Sequence, residues 1–304
     1  MIINRWSGDG KAERYKLEDA ANKLGVRTIM LERGLDLAQL AHDAISTGAD
    51  AIGMAGGDGS LGLVAGVAIE RGVPFFCVPV GTRNHFALDL GLDRDNPLSA
   101  LDALRDGDEI RIDYAVADTR VFLNNVSFGV YAQAVHRDGY RENKEETMAA
   151  VLSEVASDVE AQAGIRFATP NGERQERAPL LLVSNNLYQM SGPPDYGRRA
   201  RLDTGKLGVG AVTNLPKNAD LNSITLDQLR TLHTWETGSL RLESDEPILS
   251  GLDGEALIFD SPLDISVRPK GRRVVVPKGT KPGYVSRGEA VAARLIDLAK
   301  TGGN

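Results

Sequence analysis

Ala51-Ile52-Gly53-Met54-Ala55-Gly56-Gly57-Asp58-Gly59-Ser60 decides the fold class. Residues 51–55 form a short apolar run suited to a buried strand. Residues 61–70 then show helical spacing and stop at Gly72, as a helix closed by glycine does. Three glycines in four residues let the backbone between them turn tightly and approach a ligand. The helix start that follows offers unpaired N–H groups and a partial positive charge, which suits a phosphate. Asp58 would repel a polyphosphate unless a cation bridged them, and Mg²⁺ typically takes one or two carboxylates plus substrate phosphates. The turn therefore predicts Mg-ATP, with Asp58 on the metal side. The competing reading is an ordinary strand-to-helix turn. Gly57-Asp58-Gly59-Ser60-Leu61-Gly62 also matches the dinucleotide fingerprint, but that pattern needs an acid about 20 residues on. The strand at 74–80 has none, and the P-loop pattern is absent.

Outward from this turn, residues 1–104 alternate strands (2–3, 26–30, 51–55, 74–80) with helices (16–24, 35–47, 61–70, 86–90, 97–104). That order implies a parallel sheet with right-handed crossovers. Two more loops lie at the carboxyl edge where open sheets bind ligands. These are Ser7-Gly8-Asp9-Gly10-Lys11 and Gly81-Thr82-Arg83-Asn84-His85. Thr82 and Asn84 are candidates for hydrogen bonds to phosphate or ribose, and Lys11 for a phosphate pair. After the charged turn Arg105-Asp106-Gly107-Asp108 the pattern changes. Strand-like runs at 121–125, 179–184, 207–213, 239–244, 256–260 and 263–269 suggest an antiparallel β domain, interrupted by a helix at about 144–163. Residues 286–300 read as a closing helix that packs back on the first domain. The domains expected are 1–108, 109–276 and a tail, 277–304.

The net charge of −7 and pI near 5.3 argue against a nucleic-acid binder. Cys77, the single cysteine, sits in the apolar run 74–80 and reads as a core residue. No apolar stretch reaches the roughly 18 residues needed to span a bilayer, and the start lacks a signal region, so the sequence reads as cytosolic and soluble. Two basic clusters, Arg198-Arg199-Ala200-Arg201 and Arg268-Pro269-Lys270-Gly271-Arg272-Arg273, are candidates for peripheral contact with an anionic membrane.

Met54-Ala55-Gly56-Gly57-Asp58-Gly59-Ser60, followed by Pro79-Val80-Gly81-Thr82-Arg83-Asn84-His85-Phe86-Ala87, resembles the diacylglycerol kinase catalytic-domain family, which includes sphingosine kinases and bacterial lipid kinases. Asn4-Arg5-Trp6-Ser7-Gly8-Asp9-Gly10 looks like that family's first nucleotide loop. Phe122-Leu123-Asn124-Asn125-Val126-Ser127-Phe128-Gly129 and Leu252-Asp253-Gly254-Glu255 resemble its later motifs. The resemblance implies an N-terminal doubly wound α/β ATP-binding domain similar to NAD kinases and phosphofructokinases. It implies a C-terminal β-sandwich and an active site in the cleft between the two. It implies a cytoplasmic enzyme that transfers the γ-phosphoryl group of ATP to a lipid hydroxyl, diacylglycerol-like, with Mg²⁺ as cofactor. The implied nucleotide residues are Asn4, Ser7, Gly8, Gly56, Gly57, Gly59, Ser60, Gly81, Thr82 and Asn84. Asp58 is implied to organise Mg²⁺, Glu255 to act as general base and Asp253 as its neighbour. Implied partners are a lipid substrate and an anionic membrane surface, and a homodimer is compatible with it.

The alternatives are a kinase of a soluble acceptor such as NAD, and a nucleotide-binding regulatory module without catalysis. Read locally, Asp253-Gly254 is an ordinary hairpin turn. The chain departs from the family pattern at Arg5-Trp6, at Ser60, at His85 where bacterial members often carry Asp, and at Asp203-Thr204-Gly205-Lys206. The last change removes an acid from a turn that holds a structural Mg²⁺ in some members, so no metal is expected there.

Overall fold

The computed structural model describes residues 1–140, 143, 146–147, 150–151, 154, 164–189, 198–213 and 232–283. Strands β1 (Ile2–Ile3), β2 (Ile29–Met30), β3 (Ile52–Gly56) and β4 (Phe75–Pro79) run parallel in the order β2-β1-β3-β4. Every residue of β1, β3 and β4 is buried. That is why their sequences are continuous apolar runs and not alternating ones. Between and after them come helices α1 (Lys11–Arg14), α2 (Leu17–Lys23), α3 (Leu37–Ser46), α4 (Asp58–Glu70) and α5 (His85–Asp89). Asp36 caps α3 by accepting the N–H groups of Ala38 (2.8 Å) and Gln39 (3.1 Å), a local device that sets its start. Helix α4 starts three residues before its apolar pattern, at Asp58, so the glycine turn and the helix share a first turn. The helix expected over 97–104 is a 3₁₀ turn, Pro97–Asp102, followed by α6 (Ala103–Asp106).

The second half supplies β5 (Asp108–Ala117), β6 (Arg120–Phe122), β7 (Asn125–Gly129), α7 (Val130–Val135), β8 (Phe167–Ala168), β9 (Arg174–Gln175), β10 (Leu180–Asn185), β11 (Leu207–Val212), β12 (Leu232–Thr237), β13 (Ser239–Leu242), β14 (Ile248–Leu252), β15 (Glu255–Phe259) and β16 (Leu263–Val276). Six of these form a wholly antiparallel sheet in the order β12-β11-β10-β7-β14-β15. The rest of the pattern departs from expectation. Strand β16 pairs with β4 in parallel (Val274 with Phe75) and with β5 antiparallel, so the first sheet continues as β2-β1-β3-β4-β16-β5-β6, with β13 attached to β16. Both long strands serve two cores. Ile112, Val274 and Val276 pack with the parallel strands, while Ala115, Ala117, Ile265 and Val267 pack with the antiparallel sheet. Strand β5 was not expected, because Asp108, Glu109 and Arg111 are exposed and hide the pattern in its first half.

The register of β16 against β5 shifts between Arg268 and Arg272. The bulge has a cause. Lys270 takes a φ of 48° and donates its N–H to the buried Asp113 carboxylate (2.8 Å), which also accepts Gly205 N (2.7 Å) and Asn186 Nδ2 (2.8 Å). Asp113 thus pins the loop containing Asp203-Thr204-Gly205-Lys206, and Asp203 itself pairs with Arg201. The helix expected over 286–300 lies outside the described residues, and that over 144–163 lies largely outside them. Among the described residues no helix is long and apolar enough to cross a membrane.

Arg272 is 1% exposed, between the rings of Phe75 and Phe86 (4.6 and 4.7 Å), and its guanidinium nitrogens find no acceptor among the described residues. Two cation–π contacts favour the charge by about 2 kcal/mol each when desolvated. Burial nevertheless holds its pKa down to about 9, so the environment disfavours the cation on balance. Arg272→Met should raise stability by about 1 kcal/mol or more, since a well-packed apolar residue often outperforms a buried charge. Denaturant titration of the two proteins checks this.

Candidate functional site

Three loops meet at the carboxyl edge of β1, β3 and β4. The first leaves β1 with Asn4 N bonded to Ala55 O (2.9 Å), and Asn4 Oδ1 accepts Trp6 N (3.1 Å) in a tight local turn. Gly8, at φ 55°, lies so close to Val80 that a Cβ would come within 2.2 Å of its carbonyl oxygen. A Cβ on Gly81 would meet Gly57 Cα at 2.5 Å, so the second and third loops touch backbone to backbone. Gly81 N and Asn84 Nδ2 both donate to Gly56 O, at 3.1 and 2.8 Å. Asn84 is fully buried and ties two loops together, which leaves Thr82, Arg83 and His85, all exposed, as the polar side chains this loop can offer to a ligand. A cleft of about 620 Å³ opens beside these loops, lined by Gly8, Lys11, Arg14, Gly81, Thr82 and Arg94. The Lys11 ammonium is tied to the carbonyl of Arg94.

Gly57 is the N-cap of α4, and the first intrahelical bond runs from Leu61 N to Gly57 O (2.9 Å). The N–H groups of Asp58, Gly59 and Ser60 precede that bond and are the ones a helix start offers to an anion. The Asp58 carboxylate turns toward the third loop. Its Oδ2 accepts His85 N (3.1 Å), and its Oδ1 accepts Phe86 N (3.1 Å) and Asn124 Nδ2 (3.4 Å). Asp58 therefore caps α5. A carboxylate has about four acceptor positions, and Asp58 keeps an open one on Oδ2, so one cation ligand from this residue fits. No group of three carboxylate, histidine or cysteine side chains among the described residues could hold a metal by itself. A Mg²⁺ here would rest on Asp58 together with phosphate and water oxygens, the usual mode for that ion.

The hairpin β14–β15 brings the late motif to the same helix. Leu252 pairs with Glu255, and Asp253 and Gly254 both take positive φ (48° and 89°), which is a two-residue hairpin turn. The turn carries chemistry as well. Asp253 accepts three successive backbone N–H groups, Leu123 (2.8 Å), Asn124 (2.8 Å) and Asn125 (3.0 Å). These bonds draw Leu123 and Asn124 out of any ladder, so the single strand expected at 121–125 is instead split into β6 and β7. Burial, helped by the nearby Asp58 charge, pushes the Asp253 pKa up to about 6 despite the three N–H groups. Helix α4 receives the hairpin on glycines. A Cβ on Gly59 would sit 2.8 Å from Glu255 Oε1, and one on Gly62 would sit 3.1 Å from Asp253 Oδ2. The glycine spacing that mimics a dinucleotide fingerprint is therefore also the face on which two carboxylates land.

Sequence reasoning missed a buried network behind this face. Arg199, 0% exposed, donates Nε to Asp89 Oδ2 (2.7 Å), Nη1 to the carbonyls of Leu123 (2.6 Å) and Asn185 (2.9 Å), and Nη2 to Asn124 Oδ1 (2.9 Å). The signal was Asp89, a carboxylate directly after the apolar run Phe86-Ala87-Leu88, where burial demands a partner. The structure also divides the two basic clusters. Arg199 and Arg272 are buried, Arg201 pairs with Asp203, and Arg273 pairs with Glu109 through two bonds of 2.7 Å. Arg199 and Arg272 are therefore withdrawn from the surface, while Arg201 and Arg273 stay at it in ion pairs with the protein's own acids.

Comparison with known proteins agrees with this architecture. Residues 1–117 match the model of the diacylglycerol kinase catalytic domain. A diacylglycerol kinase of Mycobacterium tuberculosis is 32% identical over 117 residues, covering 35% of this chain and 36% of the relative. A YegS-like lipid kinase of Cronobacter sakazakii is 30% identical over 142 residues, covering 44% and 46%. The chain thus matches less than half the length of these curated relatives. A solved Bacillus anthracis structure described as a candidate diacylglycerol kinase shares the fold over 92% of this chain and 95% of its own, with a TM-score of 0.67 at 18% identity. The glycine turn, its partner loop and the helix start all lie inside the matched segment, so residues 1–117 are similar to the diacylglycerol kinase catalytic domain.

Proposed function

We propose that this chain is an ATP-dependent lipid kinase, transferring the γ-phosphoryl group to the hydroxyl of a diacylglycerol-like lipid. The observation that carries the reading is the docking of the Asp253–Glu255 hairpin on the first turn of α4, the turn that also forms the phosphate cradle. In this reading residues 1–108 form the NAD-kinase-like nucleotide domain and 109–276 a β-sandwich that presents the acceptor. Bound Mg-ATP supplies the transferable phosphoryl group and the charge that neutralises it. The chain's own residues position and deprotonate. The N–H groups at the start of α4 hold phosphate oxygens, with Gly56, Gly57, Gly59, Gly81 and Thr82 shaping the pocket, and Asn4, Ser7 and Gly8 border it. Asp58 would offer the open position on its Oδ2 to the cation. Glu255, exposed at the mouth, takes the proton of the lipid hydroxyl as its oxygen bonds to the γ-phosphorus and the bond to the ADP leaving oxygen breaks. Asp253 holds the hairpin in place.

Incubation with γ-labelled ATP and a total lipid extract, followed by identification of the labelled product, tests the reading. Label in a lipid supports it. Label in NAD and in no lipid would replace it with a soluble-acceptor kinase.

The Asp253 pKa adds a pH prediction. Because it is raised above the ordinary 3.8, this group stabilises the fold fully below about pH 4, and that contribution is lost as the pH rises through about 6. Activity should run the other way, since the ionised carboxylate is the form that accepts all three N–H groups. A kcat/KM profile should fall on the acid side with an apparent pKa near 6. A profile flat to about one unit below that value would contradict the role given to Asp253.

A further inference from the structure

We infer that Asn124 is the positioning residue that aims the Asp58 carboxylate, and that the buried Asp89–Arg199 pair sets the direction of its amide. The inference rests on the reading of Asp58 as the carboxylate that meets Mg-ATP. Arginine only donates hydrogen bonds. The Asn124 atom 2.9 Å from Arg199 Nη2 must therefore be Oδ1, which turns Nδ2 toward Asp58 Oδ1 at 3.4 Å. Rotation is blocked from both ends. Asn124 N is held by Asp253 Oδ1 (2.8 Å), and Arg199 is fixed by Asp89 and by the carbonyls of Leu123 and Asn185.

The bonds close into a ring. Asp58 caps the start of α5 at His85 and Phe86, Asp89 at the end of α5 holds Arg199, Arg199 holds Asn124, and Asn124 returns to Asp58. The ring joins the parallel sheet's loops to the junction of β6 and β7, and its only member at the phosphate turn is Asp58. With Phe86 N and Asn124 Nδ2 both on Oδ1, and His85 N alone on Oδ2, the position left for a cation is on Oδ2. Without the Asn124 amide the carboxylate keeps both backbone bonds but loses what distinguishes its two oxygens, and it can swing about them. Asn124 touches neither phosphate nor lipid in this scheme; it acts through Asp58.

Equilibrium binding by calorimetry, with Mg-ATP and with ATP in EDTA, tests this on wild type, Asn124→Ala and Arg199→Lys. The metal-free measurement reads the glycine turn and helix start alone. The difference between the two reads the cation bridge. In Asn124→Ala the gain in affinity brought by Mg²⁺ should shrink about 10- to 100-fold, the usual cost of removing a group that orients a metal ligand, while metal-free ATP binds as in wild type. A merely structural role would lower the melting temperature and weaken both equally. Arg199→Lys keeps a cation beside Asp89 but loses the donor to Asn124, and should show the same metal-specific loss even if Asn124→Ala does not fold. Wild-type Mg²⁺ dependence in a folded Asn124→Ala, or in Arg199→Lys should the first not fold, overturns the inference. If wild type itself shows no Mg²⁺-dependent gain, the reading of Asp58 fails first, and the inference fails with it.

Discussion

Asp58→Ala and Glu255→Ala should each lower lipid-kinase turnover at least about 100-fold, the lower end for acid–base and positioning groups. The two losses differ in kind. Asp58 is bonded to His85 N, Phe86 N and the Asn124 amide, so its removal frees the start of α5 and the third loop as well as one cation ligand. Both kcat and the KM for ATP should suffer. Glu255 is exposed and lies against the α-carbon of Gly59. Its removal should leave ATP binding close to normal and act on kcat. Glu255→Gln separates base from shape. It keeps the side chain's size but cannot take a proton, so it should be as inactive as alanine. Steady-state kinetics on a lipid acceptor, with ATP affinity measured independently, checks all three variants. Near-normal turnover in Glu255→Gln would remove Glu255 as the base while leaving the nucleotide site standing.

Asp89→Ala should destabilise the fold by about 3–5 kcal/mol, because it leaves the buried Arg199 guanidinium without its counter-charge. Both partners are almost fully buried, at 0% and 1% exposure, and Nε to Oδ2 is 2.7 Å. The pair is separated by 110 residues in sequence. It joins α5 to the segment before β11, so the penalty falls on the contact between the two sheets. Asp89→Asn keeps a hydrogen-bond acceptor and should cost less. Urea or guanidinium titrations give the comparison, and a loss under about 1 kcal/mol for Asp89→Ala would mean that Arg199 finds another acceptor. Arg272 is the contrasting case. It is a buried guanidinium that already lacks an acceptor among the described residues, so its removal is expected to help.

These cases show where the sequence is a sufficient guide. Strands β1, β3 and β4, the glycine turn, and the presence of a helix after it could all be read because each is encoded within about ten consecutive residues. An apolar run means burial on both faces, glycines mean a close backbone approach, and the helix start gives the anion site. The turn at Asp253-Gly254 was legible as a hairpin for the same reason. Asp58 was reached as a candidate from the turn itself, and Asp253 and Glu255 as candidates by their resemblance to a known motif.

What the sequence could not show is where those local pieces meet. Strand β5 was invisible because its charged first half is stabilised by pairing with β16, about 160 residues away, and not by a local apolar pattern. The break between β6 and β7 exists because Asp253 takes three N–H groups from a segment some 130 residues earlier. Arg199 looked like a solvent-facing member of a basic cluster, and only folding places Asp89, two carbonyls and Asn124 around it. A charged side chain's burial depends on the partners that surround it, and those partners come from distant parts of the chain. The glycine turn alone therefore determined a tight backbone turn that runs into a helix start, the geometry proposed to cradle phosphate. The tertiary structure decided which carboxylates face it, because hydrogen bonds between distant segments set the positions of Asp58, Asp253 and Glu255.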